Sequence, residues 1–379
     1  MTLGAAGVVV AGAGWFGLQK SGAIGSDVFV PAPVTAAAPA KVSIADGASN
    51  IRPDTPLILT APAGETIGSV TVADATAHAV SGTISPDGRT WTSKGPLRVG
   101  DTYQVTAETG EPSRNGVNLQ HETFSTAQEP NSVHYTNVYP ADGSKDGVAQ
   151  PVVIEFAQPI SNRAAVERAL SVTTDPPQAG SWGWLSAQRV DFRPQSFWKP
   201  GTKIDVKVAM DGVDIGGGQF ATEDKKIDFT IGRDQETVVS TETHHATVYR
   251  DGQQVHTFAV STGQPGLDTW GGTFAVIDKA SDVEMRGADY DVPDVKWAVH
   301  FTDTGTYVHS APWSEGAQGS YNVSHGCVGT NPTDAEWFFD NTLPGDVIKI
   351  IGSPRTGALG NGFNDFNVSW QNWQAKSAL

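Results

Sequence analysis

The sequence predicts a mainly β protein of several domains, and three observations carry that prediction. Glycine (42) and proline (23) are abundant and valine and threonine recur, which favours short strands and turns over long helices. Alternating runs such as Val70-Thr71-Val72 and Ile204-Asp205-Val206-Lys207-Val208 are punctuated by turns such as Pro86-Asp87-Gly88. The third observation is a repeat. Ala45-Asp46-Gly47 with Pro56-Leu57-Ile58-Leu59 returns as Ala141-Asp142-Gly143 with Pro151-Val152-Val153-Ile154, a period of about one hundred residues. A chain of 379 residues exceeds one ordinary core and divides into roughly two to four domains.

Residues 1–25 read as a signal peptide or signal anchor, because 2–18 are apolar, rich in Gly and Ala, and uncharged. Gly12-Ala13-Gly14-Trp15-Phe16-Gly17 satisfies G-x-G-x-x-G, but Asp27 comes too early and Asp46 is the next acid, so a dinucleotide fold is not expected. Residues 26–40, with Pro31, Pro33 and Pro39 among alanines, read as a semi-rigid linker. The repeat then predicts two tandem immunoglobulin-like β-sandwiches at 41–128 and 129–225, the second with a short helix over 163–170. Trp182, Trp184, Phe192, Phe197 and Trp198 in the second module suit either a sugar-binding platform or packing, and packing is favoured.

A third β-rich domain is expected over 226–352. Ala246 to Phe258 reads as a hairpin around Asp251-Gly252. His244, His245 and His256 fall on strand faces and receive no catalytic role. Thr333-Asp334-Ala335-Glu336 has capping-box character, which predicts a short helix, and Val347-Ile348-Lys349-Ile350-Ile351 reads as a closing strand. The tail, 353–379, holds Phe363, Phe366, Trp370 and Trp373; so many aromatics do not stay exposed, so the tail is expected to dock back onto the second module.

Charge narrows the function. A net charge of −16 argues against nucleic-acid binding and against adsorption to anionic lipid, leaving membrane contact only to the N-terminal segment. The single cysteine, Cys327, cannot form an internal disulfide, and it sits in a Ser/Asn/Gly-rich loop as Ser324-His325-Gly326-Cys327, eighteen positions after His309. A lone cysteine is ordinarily a small buried hydrophobe. Here a neighbouring imidazole could take the thiol proton, and the backbone N–H groups of His325, Gly326 and Cys327 could face an oxyanion. A zinc site fits poorly, with no second cysteine and with His244 and His245 adjacent.

His309, fourteen residues, then Ser324-His325-Gly326-Cys327-Val328 resembles the signature of the L,D-transpeptidases with a YkuD-type catalytic domain. The similarity extends to their multidomain mycobacterial and actinobacterial members through Phe197-Trp198-Lys199-Pro200-Gly201-Thr202, Tyr307-Val308-His309-Ser310-Ala311-Pro312-Trp313 and Asn367-Val368-Ser369-Trp370-Gln371-Asn372-Trp373. The chain departs from the pattern at Gly329, where the family usually carries asparagine; Asn331 lies two residues further on.

The resemblance implies Cys327 as nucleophile, His309 as base, and Ser310 as the third member, orienting the imidazole through its carbonyl. It implies a lid over 283–293 in which Met285 and Tyr290 contact substrate, with Trp313 on the pocket wall; Asn331 is counted with them. The implied substrates are peptidoglycan stem peptides, the donor losing D-alanine and a second stem's amine accepting the acyl group in a 3→3 cross-link. Carbapenem-type β-lactams would acylate the same thiol, and no metal or cofactor is expected. The site of action would be outside the cytoplasmic membrane, anchored or released. An L,D-carboxypeptidase using the same residues, a wall-binding protein with a decayed site and a sortase-like transpeptidase are the alternatives.

Overall fold

The computed structural model describes residues 39–110, 118–128, 133–287 and 291–379. The expected leader and most of the linker lie outside these residues. The first module is a sandwich of two four-stranded sheets. One runs in the order Lys41–Val42, Ile58–Thr60, Thr90–Ser93, Gly82–Ile84, and the other Ala48–Ile51, Asn118–Thr126, Thr102–Gly110, Thr66–Asp74. Alternation builds it: in Thr102–Gly110 the residues Tyr103, Val105, Ala107 and Thr109 are buried, and the first three share a core with Leu57, Leu59 and Trp91.

The second module repeats the plan, as the period predicts. Lys145–Asp146, Lys225–Ile231, Lys203–Val208 and Leu170–Asp175 form one sheet; Gly180–Trp184, Arg189–Pro194, Val152–Phe156 and Tyr135–Tyr139 form the other. The expected helix is present as Arg163–Arg168, capped by Asn162. The boundary expected at 225/226 is corrected. Lys225–Ile231 pairs antiparallel with Lys203–Val208 and buries Ile227, Phe229 and Ile231 in the second module's core, so the catalytic sheet begins only at Gln235. Trp182, Trp184, Phe192 and Trp198 are buried in that core, and Phe197 packs against it. Packing, rather than an exposed platform, is their role.

The third domain stacks two sheets. The five-stranded one runs Gln253–Ala259, His245–Arg250, Gln235–Ser240, Val347–Ile351, Gly272–Ala275; the four-stranded one runs Asp278–Arg286, Asp291–Thr302, Thr306–Ser310, Val328–Thr330. Between them lie Val239, Val248, Phe258, Phe274, Phe301, Val308, Val328 and Ile348, closed off by Phe338 of the Pro332–Asp340 helix. That helix starts earlier than the Thr333 capping box suggests. Asn331 accepts the Asp334 N–H at 3.0 Å and Pro332 takes the first helical position, where a missing N–H costs nothing.

The tail docks on the second module, as its aromatics require. Trp373 is fully buried and donates Nε1–H to Ser181 O at 2.9 Å, while Phe366 meets Phe197 edge-on with centroids 4.5 Å apart. The second module and the catalytic domain also meet directly. Gly147 N–H donates to Pro344 O at 2.7 Å and Ala149 N–H to Gly345 O at 2.9 Å.

Two carboxyls flank this joint. Burial pushes Asp146 up to about 6 and Asp346 up to about 7, although Ser144 hydrogen-bonds the first, and the Leu343 N–H, Gln235 and Arg233 contact the second. Each folded-state pKa lies above the unfolded value near ~3.9, so the folded protein holds protons that the unfolded chain has released. The contribution of these two carboxyls to stability is therefore fully present below that value and is lost as pH rises through about 6 and 7. Melting followed by circular dichroism is expected to show lower stability at pH 8 than at pH 5.5. Asp346→Asn is expected to remove about 2 kcal/mol of that difference; an unchanged difference would refute the assignment.

Candidate active site

The pair His309 and Cys327 is assembled by one parallel ladder. Thr306–Ser310 runs alongside Val328–Thr330 with Val308 opposite Val328 and His309 opposite Gly329. Val308 and Val328 point into the core between the sheets. Side chains alternate along a strand, so Tyr307, His309, Cys327 and position 329 share the opposite face. That face floors a pocket of about 420 Å³ whose lining includes Met285, His309, Trp313, Tyr321, His325 and Cys327. Clefts of about 450 and 610 Å³ elsewhere, on the second sandwich and between the sandwiches, contain neither thiol nor imidazole.

His309 is 5% exposed and its Nδ1 lies 2.8 Å from Ser310 O. A carbonyl can only accept, so Nδ1 carries the proton and Nε2 is left as the basic nitrogen. Burial pulls the imidazole pKa down; the Ser310 carbonyl, which favours the charged form, only partly opposes this. Burial also pushes the Cys327 thiol up to about 11, against a smaller opposite effect of the Tyr307 N–H, and Sγ lies 3.7 Å from Gly305 O. Although Cys327 keeps some solvent exposure, protein surrounds the sulfur closely enough for desolvation to dominate. Burial thus favours the uncharged form of each group, a neutral imidazole and a thiol.

The Ser324–Cys327 turn is tied by one hydroxyl. Ser324 Oγ accepts the Gly326 N–H at 3.1 Å and donates to Cys327 O at 2.6 Å. Gly326 has φ +127°, a left-handed conformation that a side chain would strain. Of the three expected oxyanion donors, the Gly326 N–H is therefore already engaged by Ser324. His325 is exposed on the pocket rim.

The expected substrate contacts separate. Met285 is buried against Val295 and Ala298 beneath the pocket, and Trp313 stands at its rim, 60% exposed, with its ring 6.0 Å from that of His309. Tyr290 lies outside the described residues. Asn331 does not line the pocket; its side chain caps the following helix, bonding Asp334 N at 3.0 Å and Asp334 Oδ2 at 2.6 Å. Gly329 is buried and exchanges both backbone hydrogen bonds with Ser261, and a Cβ there would fall 2.9 Å from that of Ala311. His244 sits in a turn rather than on a strand face and contacts Asn322 at 3.0 Å, while His256 pairs with Asp334 at 2.9 Å. Sequence reasoning missed Tyr321, a pocket-rim residue 56% exposed, although an aromatic inside a polar loop is itself a signal.

Known proteins resemble this chain over both its sandwiches and its third domain. The family model of the bacterial Ig domain matches residues 48–214, and that of the L,D-transpeptidase catalytic domain (YkuD) matches 234–350. L,D-transpeptidase 2 of Mycobacterium tuberculosis (strain CDC 1551 / Oshkosh) is 35% identical over 346 residues, covering 89% of this chain and 84% of the relative. L,D-transpeptidase 5 of Mycobacterium tuberculosis (strain ATCC 25618 / H37Rv) is 32% identical over 345 residues, 88% of this chain and 76% of the relative. The structure of LD transpeptidase LdtMt1 in complex with imipenem superposes with a TM-score of 0.50 at 33% identity, over 58% of this chain and all of that one. With immunoglobulin-like modules, a catalytic-domain match that encloses the His309–Cys327 pair, and similarity along most of its length, the chain belongs to the L,D-transpeptidases with a YkuD catalytic domain.

Proposed function

We propose that this protein is a peptidoglycan L,D-transpeptidase that acts through a Cys327 acyl-enzyme and joins tetrapeptide stems by 3→3 cross-links. The observation that carries this reading is the fixed tautomer of His309, which keeps Nε2 basic on the sheet face it shares with Cys327. Sγ attacks the carbonyl of the donor's third residue while His309 takes the thiol proton. The tetrahedral intermediate collapses, the bond to the terminal D-alanine breaks, and His309 returns the proton to the departing amine. The side-chain amine of a second stem then attacks the thioester, giving up a proton to His309, which restores the thiol. Ser310 orients the base; Met285, Trp313 and Tyr321 form apolar and aromatic walls for the stems. The two sandwiches would hold the site at the depth of the wall, outside the cytoplasmic membrane, tethered or released through the N-terminal segment. No helix among the described residues is long and apolar enough to cross a membrane.

The test is intact-protein mass spectrometry with a carbapenem and with disaccharide-tetrapeptide, beside Cys327→Ala. A covalent adduct absent from the variant, and a cross-linked dimer lacking one D-alanine, are expected. Tripeptide product alone would indicate a carboxypeptidase, and neither adduct nor product would indicate a wall-binding protein. Tyr321→Ala is expected to raise KM for the donor about 3- to 10-fold with little change in kcat, the worth of one exposed aromatic contact. An unchanged KM would remove Tyr321 from the substrate site.

A further inference from the structure

We propose that Thr269, a buried residue behind the catalytic turn, is a positioning residue that orients the oxyanion-binding N–H of Cys327. Resting on the acyl-transfer reading above, this assigns a role to a segment far from the nucleophile in sequence. Thr269 is 1% exposed and does not line the pocket. Its hydroxyl donates to Gly326 O at 2.7 Å and accepts the Gly263 N–H at 2.9 Å, so its direction is fixed from both sides. The Gly326 carbonyl and the Cys327 N–H belong to one planar trans peptide and point in opposite directions. Drawing the carbonyl toward buried Thr269 therefore turns the N–H away from Thr269, and we infer that it then faces the oxyanion of an acyl group on Sγ.

Such a clamp is needed here. Glycine at 326 leaves this peptide little intrinsic barrier to flipping, and a flipped peptide would present a carbonyl oxygen to the developing negative charge. The Gly326 N–H is held by Ser324, so the Cys327 N–H carries more of the stabilisation. Thr269 is itself braced by the tail side of the domain: Ser353 Oγ donates to Thr269 O, and Arg355 reaches Asp268 O at 3.3 Å and stacks over Trp270.

Two reactions of the same sulfur separate this role from a merely structural one. Acylation by a carbapenem passes through a tetrahedral oxyanion; alkylation by iodoacetamide does not. In the full chain, Thr269→Val and Thr269→Ala are expected to slow acylation roughly 10- to 100-fold while alkylation stays within about 2-fold. Thr269→Ser, which keeps the hydroxyl, is expected to acylate within about 3-fold of the parent. Acylation unchanged in the valine and alanine variants, or both reactions falling together, would overturn the proposal. Should valine unfold the protein by circular dichroism, the smaller alanine and serine decide the comparison. A parent protein that forms no adduct would refute the acyl-transfer reading itself, whereas variants that match a reactive parent refute only the role of Thr269.

Discussion

Replacing His309 by glutamine is expected to slow acylation of Cys327 about 10³-fold at pH 7.5. A thiol pushed up to about 11 leaves, by simple ionisation, roughly one molecule in a few thousand as thiolate at that pH. Without a base the reaction must draw on that fraction. The variant's rate should therefore climb about tenfold per pH unit toward pH 10, because each unit multiplies the thiolate. The parent behaves differently. Burial lowers the His309 pKa, so the base is neutral above a point that lies below the usual value of 6.5, and the rate should fall only on the acid side of that point. Above it the profile should be flat, since each attack is accompanied by proton transfer to Nε2. Stopped-flow acylation across pH 5–10 distinguishes the two. A parent with strong thiolate absorbance at neutral pH, or a glutamine variant with the parent's flat profile, would show a preformed ion pair instead.

What was readable in the sequence follows from how local the physics is. Strand faces were legible because burial alternates residue by residue, as in Thr102–Gly110, and Cys327 stood out as the candidate nucleophile because it is the chain's one cysteine and follows Ser324-His325-Gly326. The tail's destination was legible from composition alone, since Phe363, Phe366, Trp370 and Trp373 needed a surface to cover them. The domain boundary was not. Lys225–Ile231 alternates equally well as the last strand of one domain or the first of the next, and only its pairing with Lys203–Val208 and Lys145–Asp146 decides. Asn331 was misassigned for a related reason, because a cap and a substrate contact call for the same polar side chain. Thr269 was invisible because its partner, Gly326, is fifty-seven residues away. Residues whose role is to hold another residue's peptide leave no local pattern.

The tail supplies the second large effect. Trp373→Ala is expected to destabilise the protein by about 3–5 kcal/mol, the range for emptying a fully buried aromatic site. The indole is closely fitted: a Cβ on Gly183 would come within 2.8 Å of it, and the Arg193 guanidinium lies 5.0 Å from its ring. Arg193 also faces Phe366 at 4.8 Å and Trp370 at 5.3 Å and donates to Val368 O at 2.8 Å, while its other amino group donates to Pro194 O at 3.1 Å, so it links the second module to the tail. Removing the indole leaves that buried cation beside a cavity, which adds to the cost. At the other end of the same contact Asp365 is fully buried, and burial next to Asp191 raises its pKa well above the carboxylate range. Docking therefore weakens as pH rises and Asp365 must ionise within the interface. Because the tail spans the second module and the catalytic sheet, where Asn367 pairs with both N and O of Thr273, undocking should uncouple the two. Calorimetry is expected to show the variant melting about 10 °C lower, with the catalytic domain and the second module separating into two transitions. Acylation of Cys327 at low temperature should survive, since no tail aromatic lines the pocket. A variant that melts within a degree of the parent in one transition would mean that the tail lies on the second module without bracing it.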